Sequence, residues 1–161
     1  MRWVHVLTGF SGRIGRGTFW IGMLILMLIL IAGMFGFAGL MRPTGATQVE
    51  LFVVYALLLV AFWVSVALIV KRLHDRGKSA LWYPLFGLGP LIAYWLGEEF
   101  SSNISNVLSP AQQGFWLLSL GLWLWAIVEL GLMPGTMGPN RFGPDVRGKP
   151  DAGLKAPESA A

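Results

Sequence analysis

The chain has 161 residues, the length of one ordinary domain, but only 12% are charged and 55% are hydrophobic, with a mean hydropathy of +0.65. A soluble domain carries about 25% charged residues to keep its surface wet, so this composition excludes a water-soluble globule and implies a surface that faces lipid. The net charge of +4 would suit nucleic acid in a soluble protein, but the cations here flank apolar runs, where anionic headgroups account for them and nucleic acid is not an expected partner.

Residues 3–14 place Trp3, Val6, Leu7, Phe10 and Ile14 at helical spacing, with His5, Thr8, Ser11 and Arg13 elsewhere on the wheel. That pattern predicts a short amphipathic N-terminal segment lying in the headgroup region. Gly9, Gly12, Gly15 and Gly17 should end it before Thr18. The first apolar run, about 18–41, would make ~36 Å of helix. It is too long and too late for a cleaved signal, so it reads as a retained span. Ala32, Gly36 and Gly39, with Gly33 beside them, mark its packing face, because small residues let helices approach closely in lipid.

The second run, 50–70, should continue as helix through Lys71–Arg76 to a glycine cap at Gly77. Ser79 is of the residue type that N-caps the next helix. The third run, 80–97, is short and holds Pro84, Gly87, Gly89 and Pro90, which predicts a kinked helix. A broken one, as in transporters, is the alternative. Trp82 and Trp95 near its ends fit interfacial belts. Residues 98–113 are polar and read as an external loop. The fourth run, 114–133, carries Glu129 near its end, where the carboxylate either pairs with a cation or marks a functional position. Beyond Pro134 the chain is rich in Gly and Pro, and 150–161 reads as a disordered cytoplasmic tail following a single membrane domain over 1–149.

Eleven of the twelve Lys and Arg residues fall before the first run, between the second and third, or after the fourth. The other connections hold only Arg42, with Glu50, Glu98 and Glu99 on or beside them. Cytoplasmic loops carry the Lys/Arg excess. The expected fold is therefore an all-α membrane protein with four transmembrane helices and both termini cytoplasmic.

Catalytic signatures are missing. Gly77-Lys78-Ser79 ends like a phosphate-binding loop, but that pattern needs glycine where Arg72 stands. His5 and His74 lack metal-ligand spacing, and cysteine is absent. No metal, cofactor or catalytic residue is predicted. Three stretches nevertheless stand out: Ser11-Gly12-Arg13-Ile14-Gly15-Arg16 leading to Phe19-Trp20, Lys71-Arg72-Leu73-His74-Asp75-Arg76-Gly77-Lys78-Ser79, and Pro134-Gly135-Thr136-Met137-Gly138-Pro139-Asn140-Arg141-Phe142-Gly143-Pro144-Asp145. In this order they resemble domain-of-unknown-function family 805, and the resemblance covers roughly residues 10–146. It implies a small multi-pass protein of a bacterial inner membrane and assigns no activity. Thr18 stands where many relatives place an acid, and the loop before the fourth run is longer.

The topology puts all three stretches on one membrane face. Arg13, Arg16, Arg72, His74, Asp75, Asn140, Arg141 and Asp145 can thus converge in one layer. They form either a clamp, with Asp75 and Asp145 paired to arginines, or a site for anionic headgroups. Asp75 is expected to meet Arg13, Arg16 or Arg141, and the loop 135–145 to be ordered. The predicted function is a non-enzymatic binding or interaction protein whose partners are membrane lipids, a second copy or another membrane protein. The alternatives are a small channel or transporter subunit and a lipid-headgroup enzyme using His74 and Asp75.

Overall fold

The computed structural model describes residues 3–40, 48–100 and 108–147, the side chains of 36–40 excepted. The predicted tail at 150–161, most of the connection before the second run, and residues 101–107 of the predicted external loop lie outside the described residues. Among the described residues every regular element is helical: α1 (Trp3–Thr8), α2 (Arg16–Leu40), α3 (Gln48–Asp75), a 3-10 turn (Ala80–Trp82), a π turn (Pro84–Leu88), α4 (Gly89–Glu99), α5 (Pro110–Ala126) and a second π turn (Ile127–Leu132).

Three of these segments are long and apolar enough to cross a membrane: Arg16–Phe35, Gln48–Asp75 and Pro110–Leu132. Their outer faces bear bare apolar side chains such as Leu28, Phe52, Leu59 and Leu117, a surface that a water-soluble protein would have to cover. The third apolar run differs. It is helical throughout but changes type twice, from 3-10 through π to α. Proline has no N–H to donate. The chain answers with a wider turn in which the Gly89 N–H reaches the Pro84 carbonyl. The proline interruption is therefore a change of helix type, not a gap.

Helix α3 outlasts the apolar run and ends at Asp75. Gly77, at φ +71°, closes it. Its N–H bonds to the His74 carbonyl at 3.0 Å, and the Lys78 N–H bonds to the Leu73 carbonyl at 2.8 Å. These are the paired bonds of a Schellman cap. Ser79 does occupy the N-cap position of the following turn, but its side chain makes no capping bond.

Tight packing is concentrated at one end. The buried cluster comprises Val6, Ile14, Phe19, Leu68, Ile69, Leu73, Phe86, Ala126 and Leu130. Helix α2 runs along α3, and α4 along α5. A Cβ on Gly22 would stand 2.7 Å from the Leu68 side chain, and one on Gly97 would stand 2.7 Å from Trp116. These are the glycines that admit close helix contact. Of the predicted stripe, Ala32 is exposed and Gly33 makes only ordinary contact with Leu57, while the surroundings of Gly36 and Gly39 lie outside the described residues. An apolar cleft of about 420 Å³ opens between α2 and α3, lined by Ile29, Leu30, Gly33, Met34, Val54, Leu57 and Leu58.

The N-terminal segment is short and breaks before Thr18, as expected. Only six residues are helical, and they pack on α3 with Val6 buried. The reason is Lys71. Its buried ammonium donates to the carbonyls of His5 and, at 3.0 Å, Val6. It thereby reaches the Val6 carbonyl, of the kind a helix end leaves open, and adds a second donor to the His5 carbonyl beside the Gly9 N–H.

Candidate functional site

At the basic end the last turn of α3 delivers Arg72, His74 and Asp75 into the interior. Asp75 is 1% exposed and Arg72 is 0% exposed. A carboxylate held so far from water requires cationic partners, and it has two. Arg13 donates from Nε at 3.1 Å and Nη2 at 3.0 Å to Oδ1. Arg72, one helical turn back, donates from Nη1 to Oδ2.

The same guanidinium groups reach further. Arg13 donates to the carbonyls of Thr136 at 2.6 Å and Gly138 at 2.8 Å. Arg72 donates to Leu130 at 2.6 Å and to Met133. One buried carboxylate thus holds together the segment before α2, the end of α3, the end of the last helix and the loop beyond it.

The carbonyls at the end of the last helix follow a pattern that sequence reasoning missed. A helix terminus leaves its final carbonyls without intrahelical partners. Here five consecutive residues offer theirs to side chains from other elements. Leu130 and Met133 accept from Arg72, Gly131 from Trp20 Nε1 at 3.1 Å, Leu132 from Arg16 Nη1 at 2.9 Å, and Pro134 from Arg76. Cations at the negative end of a helix dipole are also electrostatically favoured. The only warning in the sequence was a helix ending without its own basic residues.

The loop after Pro134 is shaped around this centre. The Thr136 N–H and hydroxyl donate to the Asp75 backbone carbonyl at 2.8 and 3.1 Å. Asn140 donates from Nδ2 to the His74 carbonyl and to the Thr136 hydroxyl, both at 3.0 Å. Its Oδ1 accepts from the Phe142 N–H at 2.9 Å, and Asn140 and Gly143 exchange backbone bonds at 3.0 Å. A side chain on Gly135 would collide with the Asp75 carboxylate. Gly138 adopts φ +74°, which lets its carbonyl face Arg13 while its N–H donates to Asp145 Oδ2 at 2.8 Å.

Arg13, Arg72 and Asp75 therefore meet directly, Asn140 joins them through the His74 carbonyl and the Thr136 hydroxyl, and three predicted members behave differently. Asp145 makes no ion pair among the described residues. Its carboxylate accepts the backbone N–H groups of Arg147, at 3.0 Å, and Gly138, which hold its pKa below the usual range. A short polar side chain closing its own turn explains this better than the clamp role expected for it. Arg16 bonds Leu132 rather than a carboxylate. Arg141 is exposed and lies over the Phe142 ring at 4.6 Å.

His74 offers little for acid–base chemistry. Its ring stacks on Phe142 at 4.0 Å, and Nδ1 lies 3.2 Å from the Gly12 carbonyl. Asp75, its expected partner, has both oxygens occupied by arginines. Glu129 completes the layer, with Arg76 Nε at 3.0 Å and Lys78 Nζ at 2.9 Å on the same oxygen. Among the described residues no three His, Cys, Asp or Glu side chains gather as metal ligands.

The residues that build this centre lie within the stretch matched by a family model. The model, described as "Protein of unknown function (DUF805)", covers residues 7–144. The chain belongs to the DUF805 family. Similar proteins include "Uncharacterized protein YiiR" of Escherichia coli strain K12 and its counterpart in Escherichia coli O157:H7. Each is 31% identical over 161 aligned residues, covering 88% of this chain and 88% of the relative. No solved structure matches. The family's apolar helices are compatible with a membrane protein.

Proposed function

We propose that this DUF805 chain is a four-span integral protein of a bacterial inner membrane, with both termini in the cytoplasm. Its arginine–aspartate centre acts as a non-enzymatic clamp that fixes the basic ends of the spans as one layer, presented to membrane lipids or a partner membrane protein. The observation that carries this reading is the occupancy of Asp75. Two guanidinium groups take its oxygens, and their other N–H groups end on carbonyls of the last helix and the following loop. A carboxylate so engaged has both oxygens turned to arginines and holds four chain segments in register.

The four-span topology is supported by the helical run from Ala80 to Glu99, which reaches roughly 30 Å, the thickness of a bilayer core. The Lys/Arg distribution supports the orientation. Reporter fusions test both. Fusions at residue 78 and beyond residue 150 are expected to be active in the cytoplasm, and those near 46 and 105 in the periplasm. Activity of a periplasm-only reporter at residue 78 would overturn the topology.

A further inference from the structure

We infer that Arg16, Arg76 and Lys78, together with Trp20 and Trp82, form a binding site for the headgroup of an anionic glycerophospholipid. The inference rests on the membrane reading above and adds the partner. Arg13 and Arg72 are excluded from it, because the clamp buries them and uses their donors internally. The three remaining cations ring the end of the last helix. Arg16 is anchored at the Leu132 carbonyl and Arg76 at the Pro134 carbonyl, two residues further on. Lys78 shares with Arg76 a single oxygen of Glu129.

Two positive groups therefore face one carboxylate that lies inside, and Arg16 adds a third cation at the same helix end with no carboxylate of its own among the described residues. Glu129 is 6% exposed, whereas the Arg76 and Lys78 side chains are 20% and 27% exposed and Arg16 is exposed. Donors remain to spare. An ammonium carries three N–H bonds and a guanidinium five. Arg76 spends one of its bonds on the weak thioether acceptor of Met133 at 3.1 Å. A phosphodiester oxygen pair matches the guanidinium fork and offsets the excess charge.

The apolar surroundings select a lipid rather than a free anion. Trp20 and Trp82 are 45% and 41% exposed, and Leu132, which supplies the carbonyl to Arg16, is 57% exposed. Lys78 sits over Trp82 at 4.8 Å. Indoles beside cations at the ends of apolar helices suit the headgroup level, with the bare helix faces below them open to acyl chains. Inorganic phosphate would gain nothing from that surface, whereas a phospholipid would use both parts.

The test is native mass spectrometry of the full chain, titrated with phosphatidylglycerol or phosphatidylcholine in detergent. The expected result is preferential retention of phosphatidylglycerol, reduced about fivefold for each charge removed in Arg16→Gln and Lys78→Gln. Arg141→Gln, whose guanidinium lies over the Phe142 ring instead, should leave retention unchanged. Glu129→Gln removes the competing carboxylate and should raise retention by a similar factor. Should that variant fail to fold, the Arg16→Gln/Lys78→Gln pair decides. Equal retention of the two lipids overturns the proposal. So does an equal loss in Arg141→Gln, which would mean a general basic field, or displacement by millimolar inorganic phosphate. Failure of the chain to fractionate with membranes would instead overturn the membrane reading itself.

Discussion

Replacing Asp75 with Asn probes the centre with almost no change of shape. The carboxylate accepts two bonds from Arg13, at 3.1 and 3.0 Å, and one from Arg72. An amide keeps one acceptor oxygen but turns its NH2 toward a guanidinium and removes the charge that two buried cations share. Breaking a buried ion pair from one side costs about 3–5 kcal/mol. Both arginines keep backbone acceptors at Thr136, Gly138, Leu130 and Met133, which places this variant at the lower end. A loss of about 3 kcal/mol is roughly a hundredfold in the folding equilibrium. Reversible unfolding in mixed micelles, followed by the fluorescence of the eight tryptophans, measures it. Combining Asp75→Asn with Arg13→Gln should cost much less than the sum of the two, because the second change removes a cation already stranded. An Asp75→Asn variant within about 0.5 kcal/mol of the parent, or an additive double variant, would refute the reasoning.

Gly135→Ala should cost about 1–3 kcal/mol, because its Cβ would land on the Asp75 carboxylate. Gly114→Ala, which meets nothing within 4 Å, should be neutral or stabilising by up to about 1 kcal/mol, and the same unfolding assay compares them. Lys71→Met keeps the buried stem but takes the Lys71 bond from the Val6 carbonyl and leaves the His5 carbonyl with only the Gly9 N–H. It should cost about 1–3 kcal/mol and appear as faster hydrogen exchange confined to residues 3–8. Asp145 titrates below the usual carboxylate range because the Arg147 and Gly138 N–H groups bond its charged form. A depressed folded-state pKa contributes stability that is present above the unfolded value, near pH 4, and lost as pH falls through the folded value. Protection of the Gly138 and Arg147 amides should therefore hold from neutral pH to about pH 4 and decline only below it. Loss of protection at pH 6 would contradict the hydrogen-bond assignment.

Some of this architecture could be read along the chain because its causes are local. Apolar runs locate helices, since a backbone in lipid must bond within its own segment. Gly77 ends α3 because the φ of +71° there is open to glycine. The three motifs identify the stretches that meet at the basic end, and Asp75 was a clear candidate for an arginine partner. Which arginine it takes was not legible. Arg13, Arg16 and Arg141 are all within plausible reach in sequence terms, and only the folded path of residues 9–15 brings Arg13 inside.

The largest surprises share one physical origin, the need to satisfy backbone groups whose partners lie far away in the chain. Lys71 reads in the sequence as a cation on the basic end of α3, yet it is buried, with its ammonium on the carbonyls of His5 and Val6. Pro84 predicts an interruption, but whether the chain gaps or widens into a π turn depends on what α5 packs against it. Within the part of the predicted stripe that is described, Gly33 makes only ordinary contact, whereas Gly22, Gly97 and Gly131 make close approaches, each set by a side chain on another helix. Hydropathy and charge act residue by residue, so the apolar runs and the end at which the cations collect are legible along the chain, although α5 begins at Pro110, inside the stretch read as loop. Folding alone settles which cations are buried around Asp75 and which stay at the rim with donors to spare. That division is a matter of distance between segments more than fifty residues apart.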